Sequence, residues 1–445
     1  MQVYALAVVT VALAPSLAVA AELAATVQKP AVDVHAEARF ESPRIATLQR
    51  NAAVTIAAQQ GLWYRLRLTE DKPGYVRVND VRVAYAASES GEADVRALLG
   101  GKAGAGRATE TAGVRGIDEG DLKTAVHDQA QLDALVAQRV DPTAAATFAQ
   151  ERGWQATTVA YAGEARPGKA SAANDAAPAP SKPELADAVS GVLGKFGVNV
   201  GSKLGTAAKT LPKSEQELAA EEAALGPAIA GRVLGARPLW ADAEAQQRVN
   251  RIGRWLASQT SRPDLPWTFG VIDAPEVNAF AAPGGYVLLT RGLYELLASD
   301  AEVAAALGHE ISHCVQRDHY NVIRQQELAS SGKDAAARQI EAGTGTTSPA
   351  IARARQYVEQ YGATVMLTTL DRDAEFRSDE AAEVYVARAG LNPLALYAVL
   401  QKMAALGTRS TSLAQLQKTH PALDARMDRI DRRAYAGLES YLARE

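Results

Sequence analysis

The sequence predicts an α+β, multidomain chain. A small β-barrel and a short helical module precede a mainly helical C-terminal half that carries a small sheet. Three observations lead there. Short runs of β-branched and aromatic residues, each bounded by Pro, Gly, Asn or Asp, fill residues 31–85. Helical patterns are read at 117–139, 143–148, 185–204, around 309–313 and from 371 to 388, against one extended stretch at 278–289. Two segments of small, turn-forming residues, 86–110 and 163–183, separate the blocks and read as linkers, the second disordered.

Composition bounds the answer without choosing it. A chain of 445 residues is long enough for two or three domains and a sizeable core. Hydrophobic content of 47% and charged content of 22% are ordinary for a globular protein. The net charge of −4 and the lack of a dense Lys/Arg block argue against nucleic acid as a partner. With Cys314 as the single cysteine, there is no internal disulfide and no cysteine-based metal site.

In chain order, residues 1–20 form a short apolar run, broken by Pro15 and ending in Ala18-Val19-Ala20. The run reads as a secretory signal peptide cleaved before Ala21, although the usual early Lys or Arg is missing. No later stretch is apolar enough for long enough to span a bilayer. The expectation is a periplasmic or secreted mature chain with no integral membrane span.

Residues 21–85 form the expected barrel, with strands at Val32–Val34, Ile45–Leu48, Val54–Ala57, Trp63–Leu68 and Tyr75–Val78. Gly61-Leu62-Trp63-Tyr64-Arg65-Leu66 and Lys72-Pro73-Gly74-Tyr75-Val76 resemble the bacterial SH3-like domain. That resemblance implies peptide or cell-wall contact; a spacer barrel with core aromatics is the alternative. Residues 111–162 make the small helical module, on which Leu122, Val126, Leu132, Leu135 and Val136 mark the buried side. His127 stands alone there and is not a ligand candidate. Residues 184–212 read as an amphipathic lead helix. It either packs on the following domain or lies on a membrane surface or partner.

Chemistry concentrates in Leu307-Gly308-His309-Glu310-Ile311-Ser312-His313. On a helix, residues four apart lie about 40° round the axis and ~6 Å along it. His309 and His313 can therefore bind one tetrahedral zinc, and Glu310 can take a proton from the attacking water. The expected cofactor is one Zn²⁺ per chain. Cys314 points about 100° away from the ligand face and reads as a small buried hydrophobe. His319 is also off that face, with a helix-end or supporting role expected.

A catalytic zinc needs a third protein ligand. The helix opening at Asp371 offers Asp373, Glu375, Asp379 and Glu380, with Glu375 and Asp379 on one face. Spacing alone does not choose among them.

From Glu215 onward the chain resembles the zinc metallopeptidase family containing the CAAX prenyl proteases, HtpX and the periplasmic BepA-like enzymes, a family of HExxH gluzincins. Glu221-Glu222-Ala223-Ala224-Leu225-Gly226 looks like its opening helix, and Val249-Asn250-Arg251-Ile252-Gly253 like its second. Asn278-Ala279-Phe280-Ala281-Ala282-Pro283-Gly284-Gly285-Tyr286-Val287 is similar to its most recognisable string beyond the zinc helix.

The resemblance implies a zinc metallopeptidase domain over 213–445, with Glu375 as ligand and Asp379 orienting a ligand histidine. The family's Glu-x-Glu-Ala-Asp pattern is broken here at Arg377 and Ser378. Thr419-His420-Pro421 with Arg426 resembles its Thr-His-Pro…Arg motif, which implies a place near the metal for His420 and Arg426. Either could steady the oxyanion, or His420 could fill the fourth metal position and keep the enzyme latent.

Asn278, Ala279, Phe280 and Ala281 read as an extended edge on which an unfolded polypeptide substrate binds as an added strand. The expected function is a zinc metalloendopeptidase degrading misfolded or unassembled cell-envelope proteins. The rival is a non-catalytic zinc-containing assembly scaffold, which needs no Glu310. Because long linkers transmit little mechanical coupling, 213–445 is expected to hold the whole catalytic unit by itself.

Overall fold

The computed structural model describes residues 22–68, 72–84, 98–99, 119–161, 163, 215–334, 357–360, 363–367, 370–407 and 410–444. The expected signal peptide and lead helix lie outside these residues. So do the two linkers, apart from residue 163 and the buried pair Leu98 and Leu99.

The N-terminal unit is a seven-stranded antiparallel sheet: β1 Leu23–Val27, β2 Ala31–His35, β3 Arg44–Gln49, β4 Ala53–Gln60, β5 Trp63–Arg67, β6 Pro73–Arg77 and β7 Val81–Val83. The strands lie in the order β3-β2-β6-β5-β4-β1-β7. Alternation sends Leu23, Ala25 and Val27, Val32 and Val34, and Leu66 inward, where they meet Ile56, Tyr64 and Val76. The five expected strands overlap β2 to β6. β1 and β7 have no signal of their own, one being Ala-rich and the other three residues long. β1 forms because β4 and β7 flank it on both sides.

The helical module comprises α1 Glu119–Thr124, α2 Gln129–Ala137 and α3 Pro142–Glu151. The Asp128 side chain caps α2 by accepting from Gln131 N, and Asp141 caps α3 by accepting from Thr143 N and Ala144 N. The module leads into α4 Glu215–Ala236 and α5 Ala243–Ala257, then the strands β8 Thr268–Ile272, β9 Ala279–Ala282 and β10 Tyr286–Thr290. β10 is central, parallel to β8 and antiparallel to β9, so β9 is an edge. The Pro283–Gly285 turn needs its glycines. Gly284 has φ +77°, and a Cβ there would stand 2.8 Å from the Glu222 carbonyl oxygen of α4.

The remaining helices are α6 Arg291–Leu296, α7 Asp300–Gln316, α8 Asp318–Asp334, α9 Arg372–Arg388, α10 Ala395–Ala405, α11 Ala414–Thr419 and α12 Leu423–Arg433. Every residue of α7 from Glu302 to Cys314 is buried, which makes it the axis of the domain. Arg317, at φ +61°, ends α7 in a left-handed cap and starts α8 in a new direction. Among the described residues no helix is long and apolar enough to cross a membrane.

The N-terminal units are not loosely tethered. Buried Gln401 of α10 accepts from Val83 N at 2.9 Å and donates to Val78 and Val81 carbonyls at 2.9 and 2.6 Å. Arg82 of β7 reaches Asp424, Asp428 and Asp431 of α12. On the other side, Asp128 N donates to Gly231 O at 2.9 Å, and Leu122, Leu132 and Leu135 pack with Leu225, Ile229 and Val233 of α4. Residues 154–161 run beside α9, where Thr157 N donates to Arg388 O and the Arg388 guanidinium to Val159 O. The flanking units therefore bury surface on the body formed by the described residues of 213–445, whatever the length of the chain between them.

A fragment starting at residue 213 should accordingly bind a hydrophobic dye and melt well below the full chain. Exposing several core side chains at about 1.5–3 kcal/mol each lowers Tm by roughly 10 °C or more. A fragment melting at the full-chain temperature would show that the contacts are incidental.

Candidate metal centre

The centre is assembled by the close approach of α7 and α9. A Cβ added to Gly308 would sit 3.3 Å from Ala382 Cα, so glycine is what lets the two backbones come this near. One turn of α7 then faces one turn of α9. His309, His313 and Glu375 are brought together with His420, the residue ending α11, and their ligand atoms all lie within 4.8 Å of one another. The Nε2 atoms of His309 and His313 are 3.2 Å apart. Glu375 lies 3.5 Å from His309 Nε2 and 3.7 Å from His313 Nε2, and His420 Nε2 lies 3.7 Å from Glu375.

These separations resemble the edges of a tetrahedron whose bonds to a central ion of about 2.0–2.1 Å put ligand atoms about 3.3 Å apart. Glu375 is 1% exposed, and its Oε2 is buried without a hydrogen-bond partner. A buried carboxylate oxygen left unpaired among imidazole nitrogens is what a cation would complete. The donor set fits a metal ion. Asp373 is exposed and Glu380 pairs with Arg433, so neither competitor joins the cluster.

Both α7 histidines are oriented through Nδ1. Asp379 Oδ1 lies 3.0 Å from His309 Nδ1, and Asp318 Oδ2 lies 2.8 Å from His313 Nδ1, with Ser378 Oγ at 3.1 Å. A carboxylate on Nδ1 keeps the proton there and leaves Nε2 free for the centre. Sequence reasoning missed Asp318 and Ser378. On a continuous helix Asp318 would point about 140° away from His313, and only the left-handed turn at Arg317 swings it back.

Arg426 comes close to the centre, its Nη2 3.3 Å from His309 Nδ1, and its Nε and Nη2 fork onto Asp379 at 2.9 and 2.5 Å, so those donors are taken up in fixing that carboxylate. Burial pushes Asp379 up, but the Arg426 guanidinium and His309 outweigh it and hold it at about 2.

Glu310 is 5% exposed and reaches two clefts, one on either side of the centre. Burial raises its affinity for a proton, against the pull of His309 and His313. One cleft is apolar, walled by Leu293, Leu396, Val399, Leu400, Met403 and Leu416. The other holds His313, His319, Glu375 and Thr419. The β9 edge runs along them: Ala279 lines both, and Phe280 and Ala281 line the second. Asn278 does not line them. Its backbone N–H and C=O are both bonded to Thr290. Cys314 is buried, with its Sγ 3.4 Å from Ala282 O, and is no part of the cluster. His319, expected at a helix end, reaches the polar cleft.

Comparison with known proteins points the same way. Residues 243–434 match Peptidase family M48. The chain is 26% identical over 241 residues to the beta-barrel assembly-enhancing protease of Yersinia pestis, covering 52% of this chain and 46% of that one. To its counterpart in Escherichia coli K12 it is 24% identical over 215 residues, 46% and 42% of the two chains. To the mitochondrial metalloendopeptidase OMA1 of Schizosaccharomyces pombe it is 27% identical over 184 residues, 41% and 51%. The chain thus spans about half the length of the curated relatives it matches.

The geometry orders three substitutions by their effect on metal retention. Glu375→Ala should lose the ion on dialysis, whereas Asp379→Ala and Asp318→Ala should each weaken binding by roughly 10–100-fold. Full occupancy in Glu375→Ala, measured by elemental analysis, would mean that the third ligand lies elsewhere.

Proposed function

We infer that this chain, whose residues 243–434 form a Peptidase family M48 domain, is a zinc-dependent metalloendopeptidase. One observation carries the reading: two oriented imidazoles and a buried carboxylate with an orphan oxygen converge beside a second glutamate that opens onto both clefts. His309, His313 and Glu375 are the ligands in this reading, a donor set that suits zinc. A zinc ion there supplies Lewis acidity, bringing deprotonation of a water to near-neutral pH and polarising the scissile carbonyl.

The chain's own groups do the rest. Glu310 accepts the proton of the attacking water and later hands it to the leaving nitrogen, a dual task that its burial-raised proton affinity suits. Asp379 and Asp318 hold the imidazoles in register, and Arg426 holds Asp379. The substrate lies along β9, the edge of its sheet among the described residues, where half-buried Ala279 lines both clefts and offers the place for an added strand. Such pairing reads main chain more than side chains, which suits unfolded polypeptides.

His420 would hold the fourth position on a bound ion in the resting chain. Its place in the four-residue cluster supports this, and burial keeps its ring neutral, pushed down to about 3. Cleavage then requires the loop carrying His420 to move.

Misfolded or unassembled envelope proteins are read as the substrates, with the chain acting in the periplasm after signal-peptide removal; support comes from relatives named beta-barrel assembly-enhancing protease and from the apolar run at residues 1–20. The N-terminal sheet is read as SH3-like, making peptide or cell-wall contact. Support comes from half-exposed Phe40 packed edge-on against Trp63 at 5.1 Å, with His35 at 5.3 Å on the same indole.

Glu310→Gln should keep metal and fold but lose casein cleavage by about 10²–10⁴. Undiminished cleavage would instead favour the assembly scaffold, with any proteolysis coming from a contaminant. His420→Ala should retain zinc and cleave casein several-fold faster than the parent. Slower cleavage would assign His420 to the oxyanion instead, and an unchanged rate would remove both roles.

A further inference from the structure

His319 has no part in the chemistry above, yet it stands beside it. It lies in the first turn of α8, is 8% exposed, and its Nδ1 is sealed from solvent with no hydrogen-bond partner. Among the described residues neither ring nitrogen is bonded to anything. Its ring neighbour is His313, edge-on with centroids 5.8 Å apart. Buried polar groups nearly always have partners, and an orphan lining a cleft beside reacting groups marks a place completed by a ligand.

None of the other polar side chains lining the cleft, Glu310, His313, Glu375, Thr419 and His420, is hydrogen-bonded to His319. Phe280, Ala281, Met366 and Leu370 supply apolar wall on one side. On the other, His313 is held by Asp318 and Ser378, while Thr419 donates back into α11. Whatever enters must bring its own hydrogen-bonding groups. A polypeptide laid along β9 carries a carbonyl oxygen at every residue and passes this point on its way across Glu310.

We propose that His319 is a substrate-contacting residue, donating its ring N–H to a main-chain carbonyl of the bound peptide on the His313 side of the centre. The contact rests on the peptidase reading and deepens it. Its ligand is a peptide group present in every polypeptide, so it adds affinity without selecting a side chain. The acceptor's free lone pairs and the unpaired imidazole satisfy each other only when substrate is bound.

The test uses the full chain, zinc-loaded and carrying Glu310→Gln, with fluorescein-labelled β-casein as the probe and anisotropy as the readout. Adding His319→Ala should raise Kd about 10-fold at unchanged zinc content. His319→Asn, which keeps an N–H near the position of Nδ1, should recover most of that loss. With Glu310 intact, His319→Ala should lower kcat/KM for casein by about 10–100-fold. An unchanged Kd, or a loss that merely follows zinc loss, overturns the proposal, as does a Glu310→Gln protein that does not bind casein. A parent chain that binds but never cleaves sinks the peptidase reading separately, and the binding arm still decides the role of His319.

Discussion

The site depends on one steric constraint, the near-contact of α7 and α9 at Gly308 and Ala382. Even a methyl group at Gly308 would ask its neighbours to give by a few tenths of an ångström, a shift that acts on the separations of 3.2 to 3.7 Å among His309, His313 and Glu375. Metal coordination tolerates deviations of only about 0.2 Å in bond length. Small residues at the crossing are therefore as necessary as the ligands, although they carry no chemistry.

The same helix is held at both ends by polar networks. At its start Glu302 accepts from Ala298 N, Lys402 Nζ and Gln59 Nε2, the last contributed by β4. Lys402 is wholly buried and also donates to Leu296 O, so its charge is paired with Glu302 and two of its three donors are used. Near its end Glu222 of α4 receives Arg262 and Arg317, and Arg262 reaches Cys314 O. This second network steadies the left-handed residue that turns Asp318 back toward His313. Changes in α4 or in the N-terminal sheet thus have a physical route to the centre.

Two features meet at β9. Among the described residues the strand is an edge of its sheet, with Ala279 half-buried and Phe280, Ala281 and Ala282 buried. Beside it the clefts differ in character, apolar towards α10 and polar towards α8.

The sequence by itself determined the local pieces. The pentad on one helix, Glu375 and Asp379 one turn apart, the Pro-Gly-Gly turn and five of the seven N-terminal strands are consequences of spacing and turn chemistry, which act within a few residues. The tertiary structure decided what depends on distant partners. β1 and β7 exist because other strands pair with them, and the N-terminal units are bound to the catalytic body through Gln401, Arg82 and Asp128. Asp318 serves His313 because of one left-handed residue, and Arg426, which lines the cleft beside His309 and Glu310, has its fork taken up by Asp379. Helical and strand periods place a side chain relative to its own element, whereas which element lies opposite is set by packing across hundreds of residues, which no local period records.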